Sequence, residues 1–334
     1  MKAAQVKEKG GDFVLVDMDK PTPKENEVLI KVEACGICHS DAFVKDGIFP
    51  GIQYPRVPGH EVVGVVEQVG EKVNNWKKGQ RVGVGWHGGH CFECEPCRRG
   101  DFISCENAQI SGISYDGGYA EYMCAPKEAL AAIPEELSSA EAAPLLCAGI
   151  TVFNALRNSG IRPGELVAVQ GIGGLGHLAV QYAAKMGMRT VAISTSDSKK
   201  ELAKELGAHH FINTDEKDAA EELQKLGGAK LILATAPYSK AITSVVGGLG
   251  TDGKLLMVAA TGDPIEVSPM ELLMGRKSVA GWPSGTAMDS EDTLNFSALT
   301  GTKPKIEEYP LDKANEAYDR MINNRARFRV VLKP

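Results

Sequence analysis

The sequence of 334 residues lacks the features that mark a membrane or secreted protein. None of its apolar runs approaches the roughly 18 residues that a transmembrane helix needs. The opening segment, Met1–Gly10, is charged and contains no apolar core of the signal-peptide type. These absences predict a cytoplasmic protein with no membrane partner.

The chain also lacks an excess of positive charge. Its 37 lysine and arginine residues are outnumbered by 43 aspartate and glutamate residues, so the net charge is −6. A general nucleic-acid binder normally has a basic face, and that class is therefore excluded. Hydrophobic residues make up 43% and charged residues 24%, as in globular proteins, and the length favours about two domains.

Cysteine is present at eight positions, and in the cytoplasm these are expected to be metal ligands or thiols rather than disulfides. Half of them lie in one segment rich in glycine, proline and charge, with the spacing C-x2-C-x2-C-x7-C: Cys91, Cys94, Cys97 and Cys105. Four thiolates around a zinc ion would hold such a segment together and leave no open coordination position. We therefore predict a structural zinc. The rival, a zinc ribbon that contacts nucleic acid, would need a basic and aromatic surface that is missing. His87 and His90 are interpreted as surface residues, with His90 as an alternative ligand.

A second set of metal-ligand side chains is spread over the first half of the chain. Cys38, His60 and Cys147 would supply two thiolates and an imidazole, which suit a catalytic zinc that keeps one position open. The alternative is that Cys38 and Cys147 are buried small hydrophobic residues, as isolated cysteines usually are.

Up to about residue 145, short β-branched runs are interrupted by glycine and proline, which predicts a small barrel or sandwich. These runs are Val28–Val32, Glu61–Val69, Arg81–Val84 and Tyr119–Met123.

After Cys147, the pattern changes to alternating strands and helices. The buried strand Glu165–Gln170 leads into Gly171-Ile172-Gly173-Gly174-Leu175-Gly176 and then an amphipathic helix. In this setting the glycines are a dinucleotide fingerprint, because they let the backbone approach a pyrophosphate at the helix N-terminus. The predicted cofactor contacts are Gly171, Gly173, Gly174, Leu175 and Gly176.

Further strands predict a doubly wound parallel sheet: Thr190–Ile193, Leu231–Ala234, Lys254–Val258 and Lys277–Ala280. The intervening helical stretches include Lys199–Leu206 and Ala219–Leu226. We place this domain at 149–282. A last strand, Phe328–Leu332, is expected to return to the first domain, which then comprises 1–148 and 283–334.

Taken together, these motifs resemble one family, the zinc-dependent medium-chain alcohol dehydrogenases, over nearly the whole chain and in the family's order. The resemblance implies an α/β protein with a GroES-like β-barrel catalytic domain and a Rossmann doubly wound parallel-sheet domain. It also implies that Cys38, His60 and Cys147 bind the catalytic zinc.

The resemblance implies roles for the residues beside that zinc. Asp41 would orient His60, as metal-bound imidazoles usually require, and Glu61 would lie behind the metal. Ser40 would pass the alcohol proton outward, although serine is also a common helix cap. Much of the family carries a histidine five positions after the ligand cysteine, where this chain has Phe43. The alternative route for the proton is a ribose hydroxyl and water.

Matching positions in the family suggest cofactor and substrate contacts. His39 and Arg329 match residues that touch the cofactor pyrophosphate, and Thr151 matches one that lies against the nicotinamide. Phe49 and Trp86 match bulky substrate-pocket positions. The alternatives are ordinary surface charges for His39 and Arg329 and core aromatics for Phe49 and Trp86.

About 20 residues past the glycines, NAD enzymes carry an acidic residue on the ribose hydroxyls. This chain instead has Ser194-Thr195-Ser196-Asp197-Ser198-Lys199, which resembles the NADP-dependent cinnamyl alcohol dehydrogenase branch. The residues implied to hold a 2′-phosphate are Ser194, Thr195, Ser196 and Lys199. The alternative is that the serines cap a helix and that the enzyme accepts either cofactor. Asp197 is the residue that favours this alternative over a strict preference for NADP.

The predicted function is interconversion of primary alcohols and aldehydes with NADP(H) by a homo-oligomer that contains catalytic and structural zinc. The alternatives are NAD(H), secondary alcohols or polyols as substrates, and a non-catalytic sensor that binds zinc and a nucleotide.

Overall fold

The structure is a computed structural model that describes residues 1–334. Its strands are β1 (Lys2–Val6), β2 (Phe13–Asp17), β3 (Glu27–Ile37), β4 (Val62–Val69), β5 (Arg81–Val84), β6 (His87–Gly89), β7 (Gln109–Ile110), β8 (Tyr122–Pro126), β9 (Leu130–Ala132), β10 (Leu166–Gln170), β11 (Arg189–Ser194), β12 (His210–Asn213), β13 (Ala229–Ala234), β14 (Leu249–Met257), β15 (Ser278–Gly281), β16 (Ile306–Pro310) and β17 (Arg329–Lys333). Its α-helices are α1 (Asp41–Lys45), α2 (Glu95–Arg98), α3 (Ser139–Ala142), α4 (Ala148–Asn158), α5 (Gly176–Lys185), α6 (Lys200–Glu205), α7 (Ala219–Lys225), α8 (Ser239–Val245), α9 (Pro269–Leu273), α10 (Ala287–Thr300) and α11 (Ala314–Ile322).

The chain divides into two compact units. One comprises Met1–Ile150 together with Gly285–Pro334, and the other comprises Thr151–Ser284. Each boundary lies two residues after the position expected from the sequence, and the first one falls within α4.

The first unit is built on a mainly antiparallel sheet of seven strands in the order β16-β17-β3-β4-β5-β9, with β8 also paired to β3. β3 is its central strand, and the β-branched residues Val28, Ile30 and Val32 bury their side chains in the core of this unit. Full burial of each such side chain contributes about 1.5–3 kcal/mol. The expected return of the chain end is confirmed, because β17 pairs with β3.

The second unit contains a six-stranded parallel sheet in the order β12-β11-β10-β13-β14-β15. This is the doubly wound dinucleotide-binding order, so the prediction of a Rossmann domain is confirmed. β10 is buried along its whole length, as expected for a parallel strand covered on both faces. β12 was not predicted from the sequence, because it begins at a histidine and carries only a short apolar run.

No single helix is long and apolar enough to cross a membrane. The segments Ser139–Leu146 and Ala148–Asn158 have the necessary length and composition only as a pair, across a bend of 54°. Most of their residues are buried within the protein, as in ordinary core helices.

Candidate active site and metal centres

The central strands bring the first two predicted zinc ligands together. β3 ends at Ile37, directly before Cys38, and β4 begins at Val62, directly after His60 and Glu61. The two strands are antiparallel neighbours, and Cys35 is paired with Val62. Because of this register, residues distant in sequence meet at one end of the sheet.

Cys147 completes the group, since its Sγ lies 3.7 Å from Cys38 Sγ. Two sulfurs on a tetrahedral zinc with bonds of about 2.3 Å are about 3.8 Å apart, so the observed spacing fits that metal. The Nε2 atom of His60 is buried and has no hydrogen-bond partner. The ligand atoms of Cys38, His60, Glu61 and Cys147 all lie within 4.8 Å of one another. This donor set suits a zinc ion.

The two thiols influence each other electrostatically. The hydrogen bond from Cys147 lowers the pKa of Cys38 well below its usual range, whereas the same contact, together with burial, raises the pKa of Cys147. These opposite shifts favour a thiolate at Cys38 and a neutral thiol at Cys147. A divalent metal would supply the charge that allows both sulfurs to ionise.

Asp41 holds the His60 imidazole from behind. Its Oδ1 lies 3.2 Å from His60 Nδ1, and its Oδ2 accepts hydrogen bonds from the Cys38 backbone N–H at 2.8 Å and the Tyr119 hydroxyl at 3.0 Å. Burial lowers the pKa of His60, but the Asp41 carboxylate and the Cys38 sulfur outweigh it and raise that pKa well above its ordinary value. Because Asp41 lies on the Nδ1 side of the ring, Nε2 is directed towards the sulfurs of Cys38 and Cys147. The role predicted for Asp41 requires this orientation.

Glu61 forms a fully buried ion pair with Arg329, the first residue of β17. Arg329 Nη2 also donates to the Ile37 carbonyl at 3.1 Å. Burial raises the pKa of Glu61 to about 7, although the Arg329 guanidinium opposes that shift. Arg329 is only 6% exposed and is therefore no ordinary surface charge. Its contact with a cofactor pyrophosphate stays a prediction.

Ser40 stands at the N-cap of α1, yet its side chain makes no capping hydrogen bond. Its Oγ instead lies 3.8 Å from Cys38 Sγ. The alternative of a capping serine therefore loses its support. His39, the neighbouring residue, is exposed.

An aromatic wall, which we define as Phe43, Phe49 and Trp86, borders His60. The Trp86 ring lies 5.0 Å from the His60 ring, edge to face. Phe49 and Phe43 meet Trp86 edge to face at 6.4 and 6.5 Å. All three are half-buried, which leaves part of each ring available to an apolar molecule. Phe43 was not predicted from the sequence to be a pocket residue, unlike Phe49 and Trp86.

The four-cysteine lobe is assembled as a second cluster, with all four sulfurs within 4.8 Å of one another. Cys105 Sγ lies 3.6 Å from Cys91 Sγ and 3.8 Å from Cys94 Sγ, again the tetrahedral spacing. Backbone N–H groups of Cys94 and Glu93 lower the pKa of Cys91 to about 6. Burial raises the pKa of Cys97 to about 12. These donors and spacings fit a zinc ion that all four thiolates enclose.

His90 is not part of that cluster. It stacks on Phe102 with ring centroids 4.2 Å apart and approaches His87 Nε2 through Nδ1 at 3.3 Å. The expectation that His87 lies at the surface is wrong, since it is only 4% exposed.

In the second unit, the three glycines of the fingerprint meet different requirements. Gly171 has φ +90°, and an added Cβ on Gly176 would lie 1.9 Å from the Gly171 carbonyl oxygen. At Gly173, by contrast, an added Cβ would have nothing within 4 Å. Gly171 therefore allows the tight turn, Gly176 allows close packing of the helix, and Gly173 leaves the backbone open to a ligand. These are the roles of the three glycines in a dinucleotide-binding loop.

The predicted phosphate-binding stretch lies beside this loop. β11 ends at Ser194, in the strand next to β10, and no acidic residue occupies that end. Lys199 Nζ donates to the Ile172 carbonyl, inside the glycine loop, at 2.8 Å. Ser196 shares a hydrogen bond of 2.8 Å with Ser198, and Thr195 is exposed.

Thr151, the residue predicted to lie against the nicotinamide, is 8% exposed on α4, and its contact with a cofactor stays a prediction. Tyr119, which bonds to Asp41, was missed because a single tyrosine after two glycines carries no motif.

Comparison with known proteins gives one consistent result. Residues 24–135 match the alcohol dehydrogenase GroES-like domain, and residues 174–298 match the zinc-binding dehydrogenase family. An alcohol dehydrogenase (patD) of Penicillium expansum is 50% identical over 331 residues, covering 99% of this chain and 97% of that one. The CAD of Helicobacter pylori, in complex with NADP(H), superposes with a TM-score of 0.88 at 26% identity over 99% and 97% of the two chains. An NAD-dependent alcohol dehydrogenase superposes with a TM-score of 0.92 at 27% identity over 100% of both chains.

Proposed function

Since this chain belongs to the zinc-dependent medium-chain alcohol dehydrogenase family, we propose that it interconverts primary alcohols and aldehydes by hydride transfer with NADP(H). The observation that carries the proposal is the open ligand set: Cys38 and Cys147 sulfurs 3.7 Å apart, beside the unpaired His60 Nε2. A zinc ion bound there would act as a Lewis acid on the alcohol or carbonyl oxygen. A second zinc ion would be enclosed by the four-cysteine lobe and would stabilise it.

The chain's own residues would handle the proton and the substrate carbon. The 3.8 Å distance from Ser40 Oγ to Cys38 Sγ supports the role proposed for Ser40, which is to accept the alcohol proton. The 3.2 Å distance from Asp41 to the His60 imidazole supports its proposed role of orienting that ring, and the buried Glu61–Arg329 pair supports the proposed position of Glu61 behind the metal. The aromatic wall favours apolar substituents on the substrate, which supports primary alcohols with a hydrocarbon group over polyols. Secondary alcohols stay an alternative that a substrate panel decides.

The preference for NADP(H) is supported by the end of β11. An acidic residue there would face a 2′-phosphate, and like charges in such contact cost several kcal/mol. Ser194 presents a hydroxyl instead, and the Lys199 ammonium already lies at the glycine loop. Hydrogen bonds to charged phosphate oxygens are the stronger kind. Asp197 is exposed one turn away and is the residue that favours the NAD alternative. Relatives of both kinds are known, including one bound to NADP(H) and one that is NAD-dependent.

The test is kcat/KM for NADPH and NADH at one ionic strength in the wild type and two variants. Ser194→Asp should weaken NADPH use sharply and spare or improve NADH use. Lys199→Ala should impair NADPH alone, because NADH has no phosphate for the lysine to meet. A wild-type preference for NADH refutes this part of the proposal. Equal losses with both cofactors in Lys199→Ala would make that lysine structural.

The zinc chemistry has its own test. Cys147→Ala should abolish turnover of benzyl alcohol and leave about one zinc ion per chain, the one in the lobe, because a three-ligand site has lost a charged ligand. A wild type that binds zinc and nucleotide but turns over no alcohol would favour the sensor alternative.

We further propose that the protein is cytoplasmic and forms a homo-oligomer. None of the eight cysteines forms a disulfide, which suits a reducing compartment. β15 is an edge strand of its sheet, and the nearby Met270, Leu273 and Met274 are 63%, 73% and 71% exposed. Unpaired strand edges and apolar side chains of this kind are typical of surfaces that pair with another chain. Sedimentation analysis of the wild type and of Leu273→Glu tests this, and a wild-type monomer refutes it.

A further inference from the structure

The carbonyl groups of the glycine loop are held by side chains from other parts of the second unit. Three successive carbonyls take part, with Thr235 Oγ1 donating to Gly171 at 3.0 Å, Lys199 Nζ to Ile172 at 2.8 Å and His177 Nδ1 to Gly173 at 2.9 Å. A carbonyl oxygen carries partial negative charge and would repel a phosphate that it faced. Side chains that hold these oxygens therefore favour a loop that presents its N–H groups to an anion.

His177 is the donor to which no function has so far been assigned. It is the second residue of α5, and its side chain is completely buried. Because a carbonyl oxygen can only accept, the Nδ1 atom must carry the proton in this contact. The backbone N–H of His177 donates to the same Gly173 oxygen at 3.1 Å. One residue thus holds this carbonyl through two hydrogen bonds.

The direction of that carbonyl determines the direction of the next N–H group. The peptide between Gly173 and Gly174 is planar and trans, so its C=O and N–H point in opposite directions. The carbonyl points along α5 towards His177, and the Gly174 N–H therefore points away from the helix, beyond its N-terminus. Anions bind at this end of a helix through N–H groups directed at them.

Steric contacts do not hold the peptide in this orientation. A Cβ added to Gly173 would have nothing within 4 Å, and glycine reaches more backbone conformations than any other residue. The openness that lets a ligand approach Gly173 thus also leaves this peptide free to rotate. The two hydrogen bonds from His177 are the contacts that oppose such a rotation.

We propose that His177 is a positioning residue for the cofactor, because its Nδ1–H fixes the peptide after Gly173 and so directs the Gly174 N–H at the bound pyrophosphate. The glycine pattern explains why a ligand can come close to the backbone, whereas His177 explains what keeps the backbone in the binding orientation. Without the imidazole, a smaller fraction of molecules is competent to bind, and the affinity falls by that fraction. This inference rests on the proposed function only in requiring that a nicotinamide dinucleotide binds.

Three substitutions separate the hydrogen bond from the packing of the side chain. His177→Asn keeps an amide nitrogen attached to Cγ, as Nδ1 is in histidine, and can donate to the same carbonyl. His177→Gln carries its amide nitrogen one bond farther out, at the position of Nε2. His177→Leu fills the buried space without any donor. The comparison of the Asn and Gln variants is decisive even if the Leu variant does not fold.

The measurement is Kd by calorimetry, on the zinc-containing protein and without turnover. The ligands are NADP⁺ and adenosine 2′-phosphate, a fragment that lacks the pyrophosphate. If the wild type prefers NAD⁺, then NAD⁺ and adenosine replace them. The Gln and Leu variants should bind the dinucleotide about 2–10-fold more weakly, the range of a net hydrogen bond, and the Asn variant should bind it as the wild type does. All variants should bind the fragment equally.

His209→Leu is the matched control in the same unit. His209 Nδ1 accepts a hydrogen bond from the Thr190 backbone N–H at 3.0 Å, near the start of β11 and therefore at the opposite end of the sheet from the glycine loop. It removes an imidazole that also contacts the backbone through Nδ1, and it should leave both Kd values unchanged. Melting temperatures confirm that each variant is folded.

Equal affinity of the Asn and Gln variants for the dinucleotide overturns the inference, because the position of the donor would then not matter. Equal weakening of the dinucleotide and the fragment also overturns it, since the loss would come from a general change in packing. A wild type that binds neither NADP⁺ nor NAD⁺ overturns the proposed function and this inference with it, whereas the first two results leave the proposed function intact.

Discussion

Replacement of Tyr119 by phenylalanine tests the hydrogen bond through which Tyr119 holds Asp41 at the candidate zinc site. Tyr119 is fully buried, and its hydroxyl donates to Asp41 Oδ2 at 3.0 Å. The other oxygen of that carboxylate lies 3.2 Å from His60 Nδ1. The substitution removes one oxygen atom, keeps the aromatic ring and touches no ligand directly. Any effect on zinc must therefore pass through Asp41.

The expected magnitude follows from the charge and burial of the acceptor. A hydrogen bond to a charged group contributes about 1.5–3 kcal/mol, and here the carboxylate cannot recover it from water because Asp41 is only 1% exposed. For a domain of about 200 residues, each kcal/mol shifts the melting temperature by about 2–4 °C, so we expect a decrease of about 3–12 °C. Loss of such support typically lowers metal affinity by about 10–100-fold.

Tyr115→Phe is the matched control. Its hydroxyl donates to the Gly88 carbonyl, a neutral acceptor, at 2.9 Å. That variant should lose about 1 kcal/mol of stability and keep its zinc affinity. Thermal unfolding and competition for zinc with a chromogenic chelator give the two measurements. If Tyr119→Phe and Tyr115→Phe release zinc at the same chelator concentration, the reasoning that links Tyr119 to the metal through Asp41 is wrong.

Three further outcomes are expected. Cys97→Ser should lower bound zinc by about one ion per chain and reduce the melting temperature, because metal-binding energy is folding energy in such a lobe; full zinc content with unchanged melting would contradict it. Ser40→Ala should keep both metals and lower kcat by about 10²–10⁴-fold, whereas a wild-type rate would show that the proton leaves by another route. Gly36→Ala should cost about 1–3 kcal/mol in urea unfolding, because its Cβ would lie 1.8 Å from Glu61 Oε2; Gly262→Ala, with nothing within 4 Å, is the control and should be close to neutral.

Several features could be predicted from the sequence because they depend on neighbouring residues. The spacing of Cys91, Cys94, Cys97 and Cys105 allows one short loop to enclose one ion, and the four sulfurs do lie together. The glycine pattern from Gly171 to Gly176 acts through φ angles and close backbone contacts, which residue type alone restricts. The alternation of strand and helix patterns is also a local property of the sequence, and it predicted the parallel sheet.

Other features depend on which strands become neighbours, and the local sequence pattern does not determine which strands pair. The register of β3 with β4 and β17 brings Glu61 and Arg329 into one buried ion pair, although 268 positions separate them in the chain. Tyr119 reaches Asp41 across 78 positions in the same way. Residue type determined that a thiolate, an imidazole and a carboxylate were available, whereas burial and charge around them were decided only by tertiary packing. The pKa of Glu61 near 7 is an example, since it comes from complete loss of water around a side chain that the sequence alone would leave ionised and exposed.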